Sequence, residues 1–527
     1  MRLTILSWVV LLSQALALHA QPAAATPAGP VRQMSLTDCI RMALERNLSI
    51  MVGDTIKLGD TADLDERNFG KLGLQETRLA LESLYGYYDP VLSIRGGHNY
   101  GSDGSYLGGL GSFNDASRGG KSELYTDSFG LNLAGIAPTG TRYAISAGMD
   151  RLNDGFNEPL TPNSYYYQYN STARITITQP LLKDFWIDRG RLNIRLAKTA
   201  VKRSEMGFRL LVMNVVNQVA GLYFDFLAAR DQVKVQEKAL ELANRLVAEN
   251  NSKVAAGAIA RLEVRQSESQ AATTKAALTA AIFSAQQADN LLKAVITHEF
   301  NTIQPVNIEP TEKLIAVYQA LSLAESWRIG LEQRPDYQMA KQDLENRDIA
   351  LVFYKNQLYP ALDLRGTYGR NGVGNSTGDS LESIGDNHFP TYGGFVVLTV
   401  PLTRKSERAD YKNAGVARQA AILSLKRKED SVLQEIDIAV KEVISRYQTI
   451  ESTRQARIFA EEALEAEQKK LENGQSTSFQ VLQFQRDLTA ASSNEIKALA
   501  GYNKALHQFY FREGSTLERN KIVLELK

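Results

Sequence analysis

Two stretches of the chain place apolar residues every three or four positions for longer than an ordinary globular helix requires. Val212, Val215, Val219, Leu222, Phe226, Ala229 and Val233 are spaced 3,4,3,4,3,4, and after Gln236 the register resumes at Leu240, Ala243 and Val247. Leu433, Ile436, Val440, Val443, Tyr447 and Ile450 follow the same spacing at an offset of 221 residues. A mean spacing of 3.5 describes a coiled-coil seam between paired helices. The prolines agree, because none of the 14 falls in 181–304 or 402–527 and proline breaks helix interiors. A glycine divides each block, in Asn251-Ser-Lys-Val-Ala-Ala-Gly257 and in Leu471-Glu-Asn-Gly474, where glycine stops a helix. The pattern predicts helices over 189–256 and 404–473, each followed by a second helix at 260–298 and 477–512. At 1.5 Å per residue the first helix of each pair is roughly 100 Å long. That is too long for one compact globule, so each pair is expected to project as a hairpin.

Between the helical blocks the period changes to two. Over 165–177 the odd positions Tyr165, Tyr167, Tyr169, Ser171, Ala173, Ile175 and Ile177 are mostly aromatic or apolar. The even positions Tyr166, Gln168, Asn170, Thr172, Arg174 and Thr176 are mostly polar. Leu362, Leu364 and Tyr368 alternate in the same way with Asp363, Arg365 and Thr367. Strands are expected at about 90–101, 124–151, 164–179, 360–370 and 391–400, with loops rich in Gly and Ser at 101–124 and 371–387. The 124–151 segment reads as a hairpin turning at Ile136-Ala-Pro-Thr-Gly-Thr. Strands with one apolar and one polar face and aromatic residues near an end fit a membrane barrel with a wet lumen; a soluble sandwich is the alternative for any one of them. Closure would satisfy the backbone groups that lipid cannot. Each repeat offers too few strands to close alone, so several chains must contribute. The hairpin either enlarges such a barrel or stands above it as an external flap.

The chain is a duplication. Ser35-Leu-Thr-Asp-Cys-Ile-Arg-Met-Ala-Leu-Glu-Arg-Asn aligns with Ser322-Leu-Ala-Glu-Ser-Trp-Arg-Ile-Gly-Leu-Glu-Gln-Arg at an offset of 287. Ser35 with Asp38, and Ser322 with Glu325, read as helix starts with an acid three residues on. Asp89-Pro-Val-Leu-Ser-Ile-Arg-Gly resembles Tyr359-Pro-Ala-Leu-Asp-Leu-Arg-Gly, and Ile177-Thr-Gln-Pro-Leu matches Leu398-Thr-Val-Pro-Leu. The organisation is then a signal peptide at 1–20, a linker at 21–34, a first repeat at 35–304, a linker at 305–321, a second repeat at 322–513 and a tail at 514–527. The signal peptide is read from Arg2, the apolar stretch to Leu18 and the small residues Ala15, Ala17 and Ala20. Export follows from it.

Composition removes other classes. Sixty Lys+Arg against 59 Asp+Glu give a net charge of +1, no basis for nucleic-acid binding. Mean hydropathy is −0.26, and no transmembrane-length apolar run follows the N-terminus, which argues against a polytopic helical membrane protein. One cysteine, Cys39, forms no disulfide within the chain, and His19, His98, His298, His388 and His507 lack metal-ligand spacing. Gly372-Val-Gly374 lacks the third glycine of a dinucleotide loop. No catalytic, cofactor or metal residues are assigned, and no enzyme activity is expected.

The signal peptide, the duplicated helix–strand–helix order, Pro180 and Pro401 at the strand-to-helix junctions, and Gly257 and Gly474 at the hairpin turns together resemble the TolC-type outer-membrane efflux protein family over nearly all of 35–513. The resemblance implies a mixed α and β fold. Three copies would share a transmembrane β-barrel, usually of four strands each, continued by a periplasmic α-helical barrel. It implies a passive, gated export duct for small molecules or polypeptides in the outer membrane of a Gram-negative-type bacterium. Its partners would be a periplasmic adaptor and an inner-membrane pump of RND, ABC or MFS type. Gly257, Ala258, Gly474 and Gln475 would sit at the adaptor-docking tips. Glu263, Gln480 and Gln483 would occupy the periplasmic aperture, where better-known members carry aspartates after the second glycine. The alternative, a trimeric adhesin with a helical stalk, should not interleave strands with duplicated hairpins.

Overall fold

The computed structural model describes residues 30–52, 70–103, 122–154, 167–257, 259–387 and 389–524. The signal peptide, most of the first linker, Ala258 and much of the predicted 101–124 loop lie outside the described residues. In chain order the elements are β1 (Val31–Met34), α1 (Leu36–Arg46), α2 (Leu48–Val52), α3 (Lys71–Tyr85), β2 (Val91–Asp103), β3 (Ser122–Ile136), β4 (Arg142–Asp154), β5 (Tyr167–Pro180), α4 (Arg189–Ala255) and α5 (Arg261–Ile296). The second half holds α6 (Phe300–Ile303), β6 (Asn307–Pro310), α7 (Leu323–Gln333), α8 (Pro335–Gln357), β7 (Ala361–Gly374), α9 (Thr377–Gly385), β8 (Phe389–Thr399), α10 (Lys405–Glu472), α11 (Ser478–Glu513) and α12 (Thr516–Arg519). Two compact units form, with boundaries that fall inside α4 and α10.

One unit is helical. It gathers Arg209–Arg334, the chain from Val432 on and the described part of the first 60 residues. A short parallel pair, β1 with β6, is its only sheet among the described residues. The heptad positions Val212, Val215, Val219 and Phe226 are buried, and so are the adjacent Val216, Ala220, Tyr223 and Leu227. This doubled stripe gives α4 a window apolar enough to cross a membrane by length and composition. That departs from the expectation that no such run exists, but two thirds of the window is buried inside the protein. Tyr223 donates to the Met34 carbonyl at 3.3 Å. Cys39 is fully buried and its thiol is pushed up to about 12, first by burial. A thiol so far from ionisation is a core side chain.

The duplicated helix starts differ in detail. Ser35 forms a full capping box with Asp38. Ser322 occupies the equivalent position without a side-chain cap. The expected acid, Glu325, instead grips Arg328 at 2.6 Å. The three-residue spacing that suits a capping box also suits an ion pair along one helix face, and the first copy's Arg41 leaves Asp38 free to do both.

The other unit holds a six-stranded antiparallel sheet in the order β2-β3-β4-β5-β7-β8. The β3–β4 hairpin is therefore part of the sheet, between β2 and β5. Leu92, Leu133, Ile145, Ile175, Tyr368 and Tyr392 lie directly across from one another through all six strands. The next row, Ser93, Asn132, Ser146, Arg174, Gly369 and Thr391, belongs to the opposite face. One face is thus a continuous apolar band, and its Tyr392, Val396 and Ile94 are 80%, 69% and 66% exposed in the single chain. A band of this size calls for a cover of lipid or protein. The outer edges of β2 and β8 are unpaired among the described residues.

The predicted 371–387 loop is shorter than expected, because β7 runs to Gly374 and Thr377–Gly385 is helical. Ser376 caps α9 by accepting from the Asp379 amide at 3.2 Å. The helix packs on the apolar face, where Ser171 Oγ donates to the Ser380 carbonyl at 2.8 Å. Gly372 and Gly374 allow this approach, since a Cβ at either would lie 2.0 Å from the Ser380 carbonyl oxygen or 2.6 Å from its amide.

His507, in the helical unit, lies 5.5 Å from Phe224 and 5.8 Å from Tyr510, ring centre to ring centre. Burial pulls its pKa from 6.5 down to about 4. The folded ring is neutral, whereas the unfolded chain takes up a proton once pH falls through 6.5. The associated stability is complete above that pH and drains away between 6.5 and 4, roughly 3 kcal/mol in all. Replacing His507 by Phe should flatten this part of the slope in denaturant unfolding of detergent-solubilised protein. An unaltered slope would contradict the assignment.

Candidate functional site

The two hairpin turns are built alike. After α4, Gly257 takes φ +73° and donates its amide to the Val254 carbonyl at 2.9 Å. After α10, Gly474 takes φ +75° and donates to Leu471 at 3.2 Å, and Gln475 donates to Lys470 at 2.8 Å. The second pair of bonds is a Schellman ending, which satisfies carbonyls the helix leaves open. A Cβ on either glycine would meet nothing within 4 Å. Left-handed backbone, not crowding, selects glycine here. α11 then starts at Thr477, whose side chain accepts from the Gln480 amide. α5 starts after Ala260 without a side-chain cap.

Behind the turns lies a buried polar knot. Ser478 Oγ reaches Asn250 Oδ1 at 3.0 Å and Glu263 Oε2 at 3.1 Å. Asn250 Nδ2 donates to Ser267 Oγ at 3.3 Å, and Ser267 donates to the Val264 carbonyl at 2.9 Å. Asn250 and Ser267 are fully buried and Ser478 nearly so. Leu246, Leu464, Val481 and Leu482 pack into an apolar cluster nearby. Glu263 is therefore half-buried and tied to the other hairpin. Gln480 is exposed and accepts from Ser476 at 3.0 Å, while Gln483 is exposed and donates to Asp487 at 3.2 Å. Glu467 also accepts from Ser476, and this bond followed by Lys470 holds its carboxyl below the usual range. Gln483 lines a groove of about 310 Å³ together with Arg265, Phe479 and Arg486.

The sequence pattern missed Asn250, although a signal was present. It continues the 3–4 spacing of Leu240, Ala243 and Val247 as a polar residue on an apolar seam. Such residues fix register at a cost in stability.

The strand-to-helix junctions lie in the sheet unit. Pro180 ends β5 opposite Asp363. The chain then turns through Asp184 at φ 63°. Asn356 holds this turn from both sides, accepting from the Asp184 amide at 2.8 Å and donating to the Leu182 carbonyl at 3.2 Å. Asp188 opens α4 by accepting from the Arg191 amide at 2.7 Å. In the second copy Pro401 follows β8, and Arg404, at φ 44°, donates to the Pro401 carbonyl at 3.2 Å and to the Leu358 carbonyl at 2.6 Å. Aligned prolines are thus followed by different anchors.

The sequence matches the model of the outer membrane efflux protein family over residues 144–298 and 329–512. The chain belongs to that family. It is an outer-membrane channel for efflux. No curated protein sequence matches the chain. Among solved structures, a membrane protein from Pseudomonas aeruginosa is similar with a TM-score of 0.63 at 16% identity, covering 94% of this chain and 96% of that one. The Campylobacter jejuni CmeC outer membrane channel gives 0.60 at 13% identity, with 91% and 86% covered. The open state of the Neisseria gonorrhoeae MtrE outer membrane channel gives 0.60 at 16% identity, with 94% of each chain covered. These likenesses concern the fold, and the outer membrane efflux protein assignment rests on the family match.

Truncating Asn250 to Ala in this efflux protein leaves Ser478 and Ser267 without their shared partner. A loss of about 1–3 kcal/mol is expected, read as faster amide exchange in 246–270 and 474–486. Unchanged exchange would show that the knot does not hold the tips.

Proposed function

We propose that three copies of the chain close one barrel and form a gated export duct that docks a periplasmic adaptor, fed by an inner-membrane pump of RND, ABC or MFS type. The observation that carries this reading is the six-stranded sheet with one apolar face, a face that is largely polar from β2 to β7, and two edges unpaired among the described residues. In lipid each unpaired backbone group costs several kcal/mol, so β2 of one copy must pair with β8 of the next. Six strands from each of three copies give eighteen, against the twelve of the usual family barrel. With strands about 4.8 Å apart and tilted by about 40°, such a barrel has a radius of roughly 18 Å, against roughly 12 Å for twelve strands.

Energy would come from the pump, and the duct would be passive. Glu263, Gln480 and Gln483 would surround the periplasmic aperture. The polar knot ties Glu263 to Ser478, so aperture residues from the two repeats would move together. Adaptor contacts that favour a dilated state would shift the population toward opening. Gly257, Ala258, Gly474 and Gln475 would meet the adaptor. The two described glycines have open space around them, leaving their outer surface free for a partner.

Replacing Gly257 or Gly474 by Trp should reduce adaptor-dependent export at least several-fold while the crosslinked trimer persists in the outer-membrane fraction. The backbone penalty is about 1–2 kcal/mol, too small to dissolve the assembly. Full export from both variants would remove the docking role, and recovery of a soluble periplasmic monomer would remove the channel reading.

A further inference from the structure

The polar face of the sheet carries four arginines and four aspartates, and the two sets are spread unequally along the strands. The backbone register puts Arg95 of β2, Arg142 of β4, Arg174 of β5 and Arg365 of β7 on the face opposite the apolar band. All four are exposed. None forms a hydrogen bond or ion pair with another described residue. Each lies within seven residues of the strand end that the chain joins to a helix or to the β3–β4 turn. Only one carboxylate, Asp363, shares that half of the face. Asp150 lies ninth from the start of β4, and the register places Asp103 and Asp154 at the far strand ends.

The arginines on the apolar face are treated differently. Arg151 pairs with Asp127 at 3.2 Å, and Asp127 also holds His98 at 2.6 Å. Arg370 donates to the carbonyls of Ile384 and Gly385 at 3.4 Å. On the apolar face the guanidinium groups of Arg151 and Arg370 are occupied; on the polar face the four have no partner among the described residues. Arg95 and Arg365 also occupy equivalent positions in the two repeats, Ser-Ile-Arg-Gly and Asp-Leu-Arg-Gly.

We infer that the barrel lumen is selective for anionic solutes, through a belt made of Arg95, Arg142, Arg174 and Arg365 in the half nearer the helices. The inference rests on the channel reading above. Three copies would bring twelve guanidinium groups against three Asp363 carboxylates into one ring-shaped zone. Rings of Arg or Lys select anions in pores, and a low-dielectric wall focuses their field into the lumen. Guanidinium stays charged throughout the working pH range and is weakly hydrated, so the preference holds across pH and suits carboxylate- and phosphate-bearing cargo. Screening bounds its size. The Debye length is about 8 Å at physiological salt, shorter than the estimated barrel radius, so the preference is modest there and grows as salt falls.

The test is the reversal potential of the purified full-length channel in a planar bilayer under a KCl gradient. Chloride should permeate about two- to three-fold better than potassium near 0.1 M, and more strongly at 0.01 M. Replacing all four arginines by Gln should abolish the preference, while Arg95→Lys with Arg365→Lys should keep it. If the fourfold variant fails to insert, Arg174→Gln alone should still shift the reversal potential toward zero. Cation preference in the wild type, or a reversal potential that none of the Gln substitutions moves, overturns the inference and leaves the channel intact. Absence of any conducting step overturns the channel reading and this inference with it.

Discussion

A backbone amide or carbonyl in hydrocarbon must have a partner, and the sheet unit is organised around that demand. Within one chain five strand pairs satisfy it, from β2 through β8. The two outer edges have no partner among the described residues. Lipid offers nothing to pair with, so the membrane-spanning part cannot be completed by one chain. The apolar band across all six strands and the polar rows behind it have meaning only once those edges are joined. The helical unit has no such debt, because every α-helix satisfies its interior groups within itself.

The helical unit faces a different problem, the ends of long helices. α4 has 67 residues and α10 has 68, and each must reverse into a partner of 36. Gly257 and Gly474 make the reversal by adopting left-handed backbone. The buried bonds among Asn250, Ser267, Ser478 and Glu263 then fix one hairpin against the other. Buried polar groups of this kind are costly when half satisfied and specific when fully paired. The tips combine surface glycines, free of neighbours, with a polar interior that admits few alternatives.

Much of this was legible in the residues because it is periodic. Heptads mark the long helices, alternation marks the strands, and two glycines mark the turns. The β3–β4 hairpin was visible as alternation in Phe129, Leu131, Leu133 and Tyr143, Ile145, Met149, but its place in the sheet was not, since strand order is a long-range property. α9 was hidden because Ser376-Thr-Gly-Asp-Ser-Leu reads as a polar loop; its stability comes from packing on Ser171, Gly372 and Gly374. Asn356 was invisible for a related reason. It sits on α8 and acts on a turn more than 170 residues away. The Ser322 cap misled because the three-residue spacing suits an ion pair as well as a capping box, and Glu325 makes the ion pair with Arg328.

The position of the β3–β4 hairpin has a consequence for how such proteins vary. It enters between β2 and β5 and leaves β2 and β8 as the outermost strands. On the proposed closure, the strands that would meet at the seam between copies are therefore the same with or without it. Circumference and subunit recognition become separate properties of the same sheet. A hairpin could be gained or lost at this point in evolution without a compensating change in the partner copy, so pore width is free to drift while the symmetry of the assembly stays fixed.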